Sequence, residues 1–323
     1  MPPSSPPLDE HGFPIPATFD GRSPRRTGAV VGVVWKAGLV LAFIGLLSGV
    51  LWESGLAAGA KQFIGDQLIG RALEKHDFGD VQGALVDLER AATWSPDNPR
   101  IVQYRARWKL EANDVAGSLA DFDHLIRLDP RDADSYLQRS QVYQRLDRHR
   151  EAIDDLTKAI ELSPGPTPRN NRAYARAMAN IELNEALVDV EQALKMVDDE
   201  LAAIQADGRG ASPTVKLEVT KTKAQKAAYL DTRGYIYFLQ DNCEPALRDL
   251  NQAIDAVLEW QNIVMEIAKV RYRPALQEQF DHELAVMYHH RGQVLAKLGR
   301  EAEAKSDLDH GDRLGYNPAA GVF

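Results

Sequence analysis

The feature that most constrains the fold of this chain is a sequence pattern that recurs with a period of about 34 residues. A small residue occupies one position of the pattern in four consecutive units, at Ala84, Ser118, Ala152 and Ala186. A larger apolar residue follows each of them four positions later, and prolines at the same interval close the first three units, at Pro96, Pro130 and Pro164. The signature returns at Ala246 and Ala304, after longer intervals than those between the first four units. Such self-similarity is typical of one supersecondary unit that stacks on copies of itself.

Each unit is predicted to be a hairpin of two helices. A second position of the pattern lies twelve residues before the recurring small residue. It is small in five of the six units: Ala72, Ala106, Ser140, Tyr174, Gly234 and Gly292. A small residue there lets the second helix of the hairpin cross close to the first. The position between the helices is occupied by Gly79, Asn113, Asp147, Ile181, Asp241 and Gly299. Gly, Asn and Asp tolerate the left-handed conformation that ends a helix. The fourth unit departs from the pattern at both positions, with Tyr174 in place of a small residue and Ile181 in the turn.

Two segments carry the pattern most completely: DSYLQRSQVYQRLDRHREAIDDLTKAIELSP and AYLDTRGYIYFLQDNCEPALRDLNQAI. They resemble the tetratricopeptide repeat, and the resemblance extends over about six units from Gly65 to Pro318. It implies an all-α solenoid of helical hairpins in the segment 61–323. The repeats are expected near residues 65–98, 99–132, 133–166, 167–200, 227–260 and 285–318.

The two longer intervals indicate lengthened helices rather than additional domains. Helical periodicity continues past Ala193 to about Ala206, and a long first helix is predicted from about Val215, after a Gly/Ser/Pro-rich stretch. A further lengthened helix is predicted to run to about Tyr272, where Pro274 ends it. The extra apolar residues require a partner, either one another or another protein.

An arginine precedes an aspartate at one fixed interval in five of the six units. The pairs are Arg71/Asp87, Arg105/Asp121, Arg139/Asp155, Arg233/Asp249 and Arg291/Asp307. We interpret them as guanidinium–carboxylate pairs that stabilise each hairpin, rather than as a row of catalytic acids. The fourth unit has Ala173 in place of the arginine, so Asp189 is expected to pair with Arg172 or Arg176 or to face water.

The resemblance also implies that the first helices of the repeats line a concave groove in which a protein or peptide partner binds. By register, the predicted groove residues are Gln103, Arg107, Gln138, Gln141, Gln144, Arg145, Asn171, Tyr235, Phe238, His289 and Gln293. Tyr235 and Phe238 either hold an apolar anchor of a bound peptide or pack beneath the long helices.

Residues 28–52 are the most apolar stretch of the chain and are predicted to form a transmembrane anchor helix. The segment from Ala37 to Trp52 carries no charge, and Trp35 and Trp52 are spaced to lie at the two membrane interfaces. Because Lys36 and three arginines lie on the N-terminal side of the apolar core, the positive-inside rule predicts a cytoplasmic N-terminus and an extracytoplasmic repeat domain, periplasmic in a bacterium. One face of the helix is lined by small residues and is compatible with self-association, at Gly38, Ala42, Gly45 and Gly49.

Residues 1–27 are rich in proline and are predicted to be a disordered tail. Residues 58–60, Ala-Gly-Ala, resemble the small-residue cleavage site of a signal peptide. The region before the apolar core is unusually long for a cleaved signal and favours an uncleaved anchor. The segment 61–323 carries the whole net charge of −9, which argues against nucleic acid as a partner.

No motif in the sequence indicates an enzyme, a cofactor or a metal site. His282-Glu283 lacks the second histidine of a zinc-protease helix, and Cys243 is the single cysteine. We therefore expect a membrane-anchored scaffold that binds a protein or peptide in the groove or on the long hairpins. A regulatory or assembly subunit of a membrane enzyme, recruited through the anchor helix, is the alternative, and an enzyme of unrecognised type is the least favoured interpretation.

Overall fold

A computed structural model describes residues 56–206, 212–269 and 272–316. The chain divides into two compact units, Met1–Phe63 and Ile64–Phe323. Of the first unit, only residues 56–63 are described, and they form the opening turns of a helix. The second unit contains the repeats.

The described residues form twelve α-helices and no strand. In chain order they are α1 Leu56–Asp77, α2 Val81–Trp94, α3 Pro99–Glu111, α4 Val115–Leu128, α5 Ala133–Arg145, α6 His149–Leu162, α7 Pro166–Met178, α8 Leu183–Ala206, α9 Pro213–Leu239, α10 Cys243–Ile267, α11 Arg273–Lys297 and α12 Glu301–Arg313. Consecutive helices form six hairpins, from α1/α2 to α11/α12. The expectation of an all-α helical solenoid is confirmed.

The helix ends follow local chemistry. Asp80 and Asp114 accept hydrogen bonds from the backbone N–H groups of Gly83 and Gly117, at 2.8 and 2.9 Å, and so cap α2 and α4. The helices α3, α7, α9 and α11 each have a proline in the first turn, where its missing N–H has no helical partner. Asn113 adopts a left-handed φ of 63° in its turn, as do the residues at the same register in four other hairpins.

The core of each hairpin is the apolar stripe of its second helix. The large residue of the repeat signature is at most 1% exposed at Leu88, Phe122, Leu156, Val190 and Leu250. At the crossing point, Ala106 and Gly234 are buried, and a Cβ atom added to Gly234 would lie 2.9 Å from Leu250 Cγ. The small residue is therefore required by the close approach of the two helices.

The fourth hairpin corrects the register that the sequence predicts. Ala173, not Tyr174, occupies the crossing position and is fully buried. The turn before α7 has three residues instead of four, and the turn after it, 179–182, has four instead of three. Because of this compensating change, α7 is displaced by one residue along the chain. Asn180 and Glu182 take the left-handed conformation, with φ of 52° and 49°, which explains why Ile181 breaks the turn pattern.

The lengthened helices are α8, α9, α10 and α11, with 24, 27, 25 and 25 residues. Their additional apolar residues share one core cluster, which includes Val197, Val257, Phe280 and Leu284. The extra turns therefore bury much of their apolar surface against one another. One expectation is wrong: α10 ends at Ile267, and Pro274 opens α11 rather than ending the preceding helix, because proline fits the first turn.

Within the part of the chain that the structure describes, every helix is too short or too polar to cross a membrane. The predicted tail at 1–27 and the predicted span at 28–52, with its small-residue face of Gly38, Ala42, Gly45 and Gly49, lie outside the described residues.

Candidate functional site

The first helices of successive hairpins contact one another along one face of the solenoid. Gln103 of α3 donates a hydrogen bond to Asp134 of α5 at 2.9 Å, and Arg107 donates one to Gln138 Oε1 at 2.5 Å. Further along, Thr167 of α7 and Tyr229 of α9 bring their hydroxyl oxygens to 3.1 Å. We call the surface formed by α3, α5, α7, α9 and α11 the first-helix face. The predicted groove residues belong to these five helices.

The N-terminal half of this face has a cavity of about 430 Å³. Its lining combines cationic, acidic, amide and apolar side chains: Arg107, Leu110, Glu111, Phe122, Asp134, Leu137, Gln138, Gln141 and Arg145. Arg145 Nη1 donates a hydrogen bond to the Leu110 carbonyl oxygen at 2.9 Å, and this bond holds the Arg145 side of the cavity in place. Gln144 lies beside it with a buried Nε2 that has no acceptor among the described residues. This half can offer hydrogen-bond donors and acceptors to an extended chain.

The C-terminal half of the face is built around a buried carboxylate. Asp231 of α9 is 0% exposed, and its Oδ1 accepts a hydrogen bond from His290 Nδ1 of α11 at 2.9 Å. The Tyr235 ring stacks on the His290 ring, with centroids 4.4 Å apart. The His289 ring stacks on Tyr316, with centroids 3.8 Å apart. We call Tyr174, Asp231, Tyr235, Glu283, His290 and Tyr316 the acidic–aromatic cluster.

The electrostatics of the cluster are dominated by burial and by the charge of Asp231. Burial raises the pKa of Glu283 to about 7, and the nearby Asp231 charge acts in the same direction. The pKa values of the Tyr174, Tyr235 and Tyr316 phenols are also raised, first by burial and then by neighbouring groups that include Asp231. The charge of Asp231 thus raises the pKa of four neighbouring groups, the Glu283 carboxyl and three tyrosine phenols.

The remaining predicted groove residues are less open than their register suggests. Phe238 packs against the core cluster of α10 and α11, and Lys297 Nζ lies 4.9 Å from its ring centre. Asn171 is 1% exposed, and neither its Nδ2 nor its Oδ1 has a partner among the described residues. The displacement of α7 moves Asn171 away from the register that predicted it, and Asn170, which takes that register, is also 1% exposed. Half-buried His289 and Gln293 each leave one polar atom, Nδ1 and Oε1 respectively, without a described partner.

The structure brings the predicted arginine–aspartate pairs together across each hairpin. Arg105, Arg139, Arg233 and Arg291 each donate two hydrogen bonds to their aspartate, through Nε and Nη2, at 2.5–2.9 Å. In the first hairpin, Lys75 Nζ lies 2.7 Å from Asp87, whereas Arg71 stays 3.6 Å away. All six aspartates are buried, so these carboxylates are part of the hairpin interior rather than of a ligand surface.

In the fourth hairpin Asp189 accepts two hydrogen bonds from Arg172, at 2.8 and 2.7 Å, and another from Arg176. Arg172 replaces the arginine that stands one place later in the other units. This substitution follows directly from the displaced register of α7.

Sequence reasoning missed the acidic–aromatic cluster except for Tyr235. Asp231 stands at the same repeat position as the predicted groove residues Gln103 and His289, and that register could have identified it. His290 is 59 residues away along the chain, on the far side of a lengthened unit. Among the described residues there is no group of three or more His, Cys, Asp or Glu side chains arranged to hold a metal ion.

Comparisons with known proteins agree with the architecture. Residues 133–166 match the family model of the tetratricopeptide repeat. A match to mouse sperm-associated antigen 1 (Mus musculus) is 26% identical over 113 residues and spans 34% of this chain, but only 12% of that protein.

Two solved structures share the fold. A tetratricopeptide repeat protein from Parabacteroides merdae has a TM-score of 0.54 and 15% identity, over 84% of this chain and 91% of its own. PilW, a type IV pilus biogenesis factor, has a TM-score of 0.53 and 13% identity, over 80% of this chain and 96% of its own. Residues 133–166 therefore match a single tetratricopeptide repeat, and the described chain shares the fold of solenoids built from such repeats.

Proposed function

We propose that this protein is a membrane-anchored scaffold whose first-helix face binds an extended segment of a partner polypeptide. The observation that carries the proposal is the cavity between α3 and α5, where Gln141, Arg107 and Arg145 surround about 430 Å³ of open space. Amide and guanidinium groups supply donors and acceptors for a peptide backbone, and Leu137 supplies an apolar contact.

The anchor in this proposal is the apolar segment 28–52, with a cytoplasmic N-terminus and the repeats on the extracytoplasmic side, in the periplasm of a bacterium. Protease added outside intact cells should then degrade the repeats. Protection of the repeats in intact cells, with cleavage after lysis, would refute this topology.

A photo-crosslinking amino acid at position 141 of the full chain tests the binding face. We expect a discrete crosslinked partner in native membranes, and none from the same group at Glu161, which is exposed on α6. Arg107→Glu should abolish the crosslink while leaving the helical circular dichroism unchanged. A crosslink that survives Arg107→Glu and forms equally from position 161 would refute the proposal.

A regulatory or assembly subunit recruited through its anchor is the alternative. Exchange of residues 28–52 for an unrelated membrane span separates the two. Retention of the crosslink at position 141 supports binding by the first-helix face, whereas its loss supports recruitment by the anchor.

A further inference from the structure

Asp231 is an exception among the buried aspartates. Seven aspartates of the described chain are at most 7% exposed: Asp87, Asp121, Asp155, Asp189, Asp231, Asp249 and Asp307. Six of them have an arginine or lysine nitrogen within ion-pair distance. Asp231 has only His290. A fully buried carboxylate without a permanent cation is costly, because burial removes its hydration.

The second oxygen of this carboxylate is also unsatisfied. His290 Nδ1 contacts Oδ1, but Oδ2 is buried and receives no hydrogen bond from any residue that the structure describes. Glu283, two helical turns before His290 on α11, adds a second carboxyl group, and the described residues provide no lysine or arginine partner for it. The site therefore lacks the positive charge that each of the other six buried aspartates has beside it.

Aromatic rings surround this acidic centre. Tyr235 and Tyr316 are half-buried and so expose part of their surface to solvent, while Tyr174, Asp231 and His290 are buried. Tyrosine ring faces attract ammonium and guanidinium groups, and a neighbouring carboxylate strengthens that attraction. Phosphates and carboxylates would meet repulsion here.

We propose that the acidic–aromatic cluster binds the cationic side chain of a lysine or arginine in the partner segment, which enters between Tyr235 and Tyr316 and supplies the counter-ion that Asp231 lacks. This inference rests on the proposed function, because the side chain belongs to the polypeptide on the first-helix face. A flexible chain of three or four methylenes is long and thin enough to pass between half-buried rings.

The cluster would also fix the direction of the partner. The N-terminal half of the face contains Arg107 and Arg145 together with Glu111 and Asp134, whereas the C-terminal half contains the acids Asp231 and Glu283. A segment with uncharged polar groups at one end and a basic residue at the other matches this charge order, and the reversed segment leaves Asp231 without a counter-ion.

The test uses the full chain in detergent, with ¹³C-labelled tyrosine rings, and N-acetyl-lysine methylamide as the probe. We expect saturable NMR shifts of the Tyr235 ring, assigned with Tyr235→Phe, and binding at least about tenfold weaker for the norleucine derivative, which lacks only the ammonium group. Asp231→Asn should weaken the lysine derivative about tenfold. Asp199→Asn, which removes an exposed acid on α8, should have no effect.

Glu283→Gln provides a second variant if Asp231→Asn does not fold, and it too should weaken binding. In the unaltered chain, binding should tighten as the pH rises through about 7, where Glu283 ionises. Equal shifts with the lysine and norleucine derivatives would overturn the inference. So would saturable binding of free spermidine without binding of the lysine derivative, since that result assigns the site to small polyamines. Neither result affects the crosslink at position 141, so the proposed function would fail or survive separately.

Discussion

Replacement of Asp155 by asparagine is the sharpest test of the arginine–aspartate pairs as structural elements. Asp155 is 5% exposed and accepts hydrogen bonds from Arg139 at 2.8 and 2.7 Å. Removing one partner of a buried ion pair typically costs about 3–5 kcal/mol. Arg139 retains Asp123, which accepts from Nη1 at 2.7 Å, and asparagine retains one acceptor oxygen. We therefore expect a loss near the lower end, about 3 kcal/mol.

Burial makes the Asp155 charge itself costly: desolvation raises the pKa of the carboxyl, against the lowering effect of the Arg139 hydrogen bonds. The desolvation of Asp155 reduces the net stabilisation that the ion pair provides. It does not reduce the free energy lost when Arg139 is left without its carboxylate partner. The expected loss therefore measures the broken pair, not the gain from forming it.

The measurement is native-state hydrogen exchange of the α5 and α6 amides, because a repeat array does not always unfold as a single two-state unit. Asp154→Asn is the matched control: it removes the same charge one residue away, at an exposed position, and should change stability by less than about 0.5 kcal/mol. If Asp155→Asn leaves exchange unchanged but abolishes the crosslink from position 141, the pairs serve binding and our reasoning is wrong.

Three further predictions follow from packing and charge. The pKa of Glu283 is about 7 in the folded protein and 4.5 ordinarily, so the free energy of unfolding should fall as the pH rises from 4.5 to 7. This fall should be at most about 3 kcal/mol, and Glu283→Gln should abolish it in urea unfolding measured at several pH values. Gly292→Ala should destabilise by about 1–3 kcal/mol, because the new Cβ would lie 2.8 Å from Leu308 Cγ, whereas Gly70→Ala, with open space around it, should stabilise α1 by about 0.5–1 kcal/mol in the same assay. Ala173→Leu should overpack the fourth hairpin and lower its stability by about 1–3 kcal/mol, measured by thermal unfolding. If this substitution leaves the stability unchanged, Tyr174 and not Ala173 occupies the crossing position.

The repeat pattern predicts the helical solenoid because it records short-range requirements. A small crossing residue such as Ala106, a turn residue such as Asn113 and an apolar stripe such as that of Phe122 each act within one hairpin. These requirements recur at a fixed spacing, so a single sequence exposes them.

The acidic–aromatic cluster depends instead on contacts between hairpins. Asp231 and His290 meet across 59 residues, and the intervening helices are lengthened. Tyr174 lies near Asp231 on a helix that is displaced by one residue, and the lengths of the two flanking turns accompany that displacement. Long-range pairing and turn lengths leave no periodic signal, so the sequence alone could not assemble this site.

The displaced helix of the fourth hairpin has an evolutionary consequence. A one-residue deletion before α7 and a one-residue insertion after it change which side chains the helix presents by about 100° of rotation, without a single substitution within the helix. Both neighbouring second helices, α6 and α8, keep their spacing, so the rest of the solenoid need not adapt. Paired indels in the turns are thus a route by which a repeat array can acquire a new binding surface in one unit. Column-by-column comparison of repeats will assign the wrong residues to that surface unless the turns are aligned first.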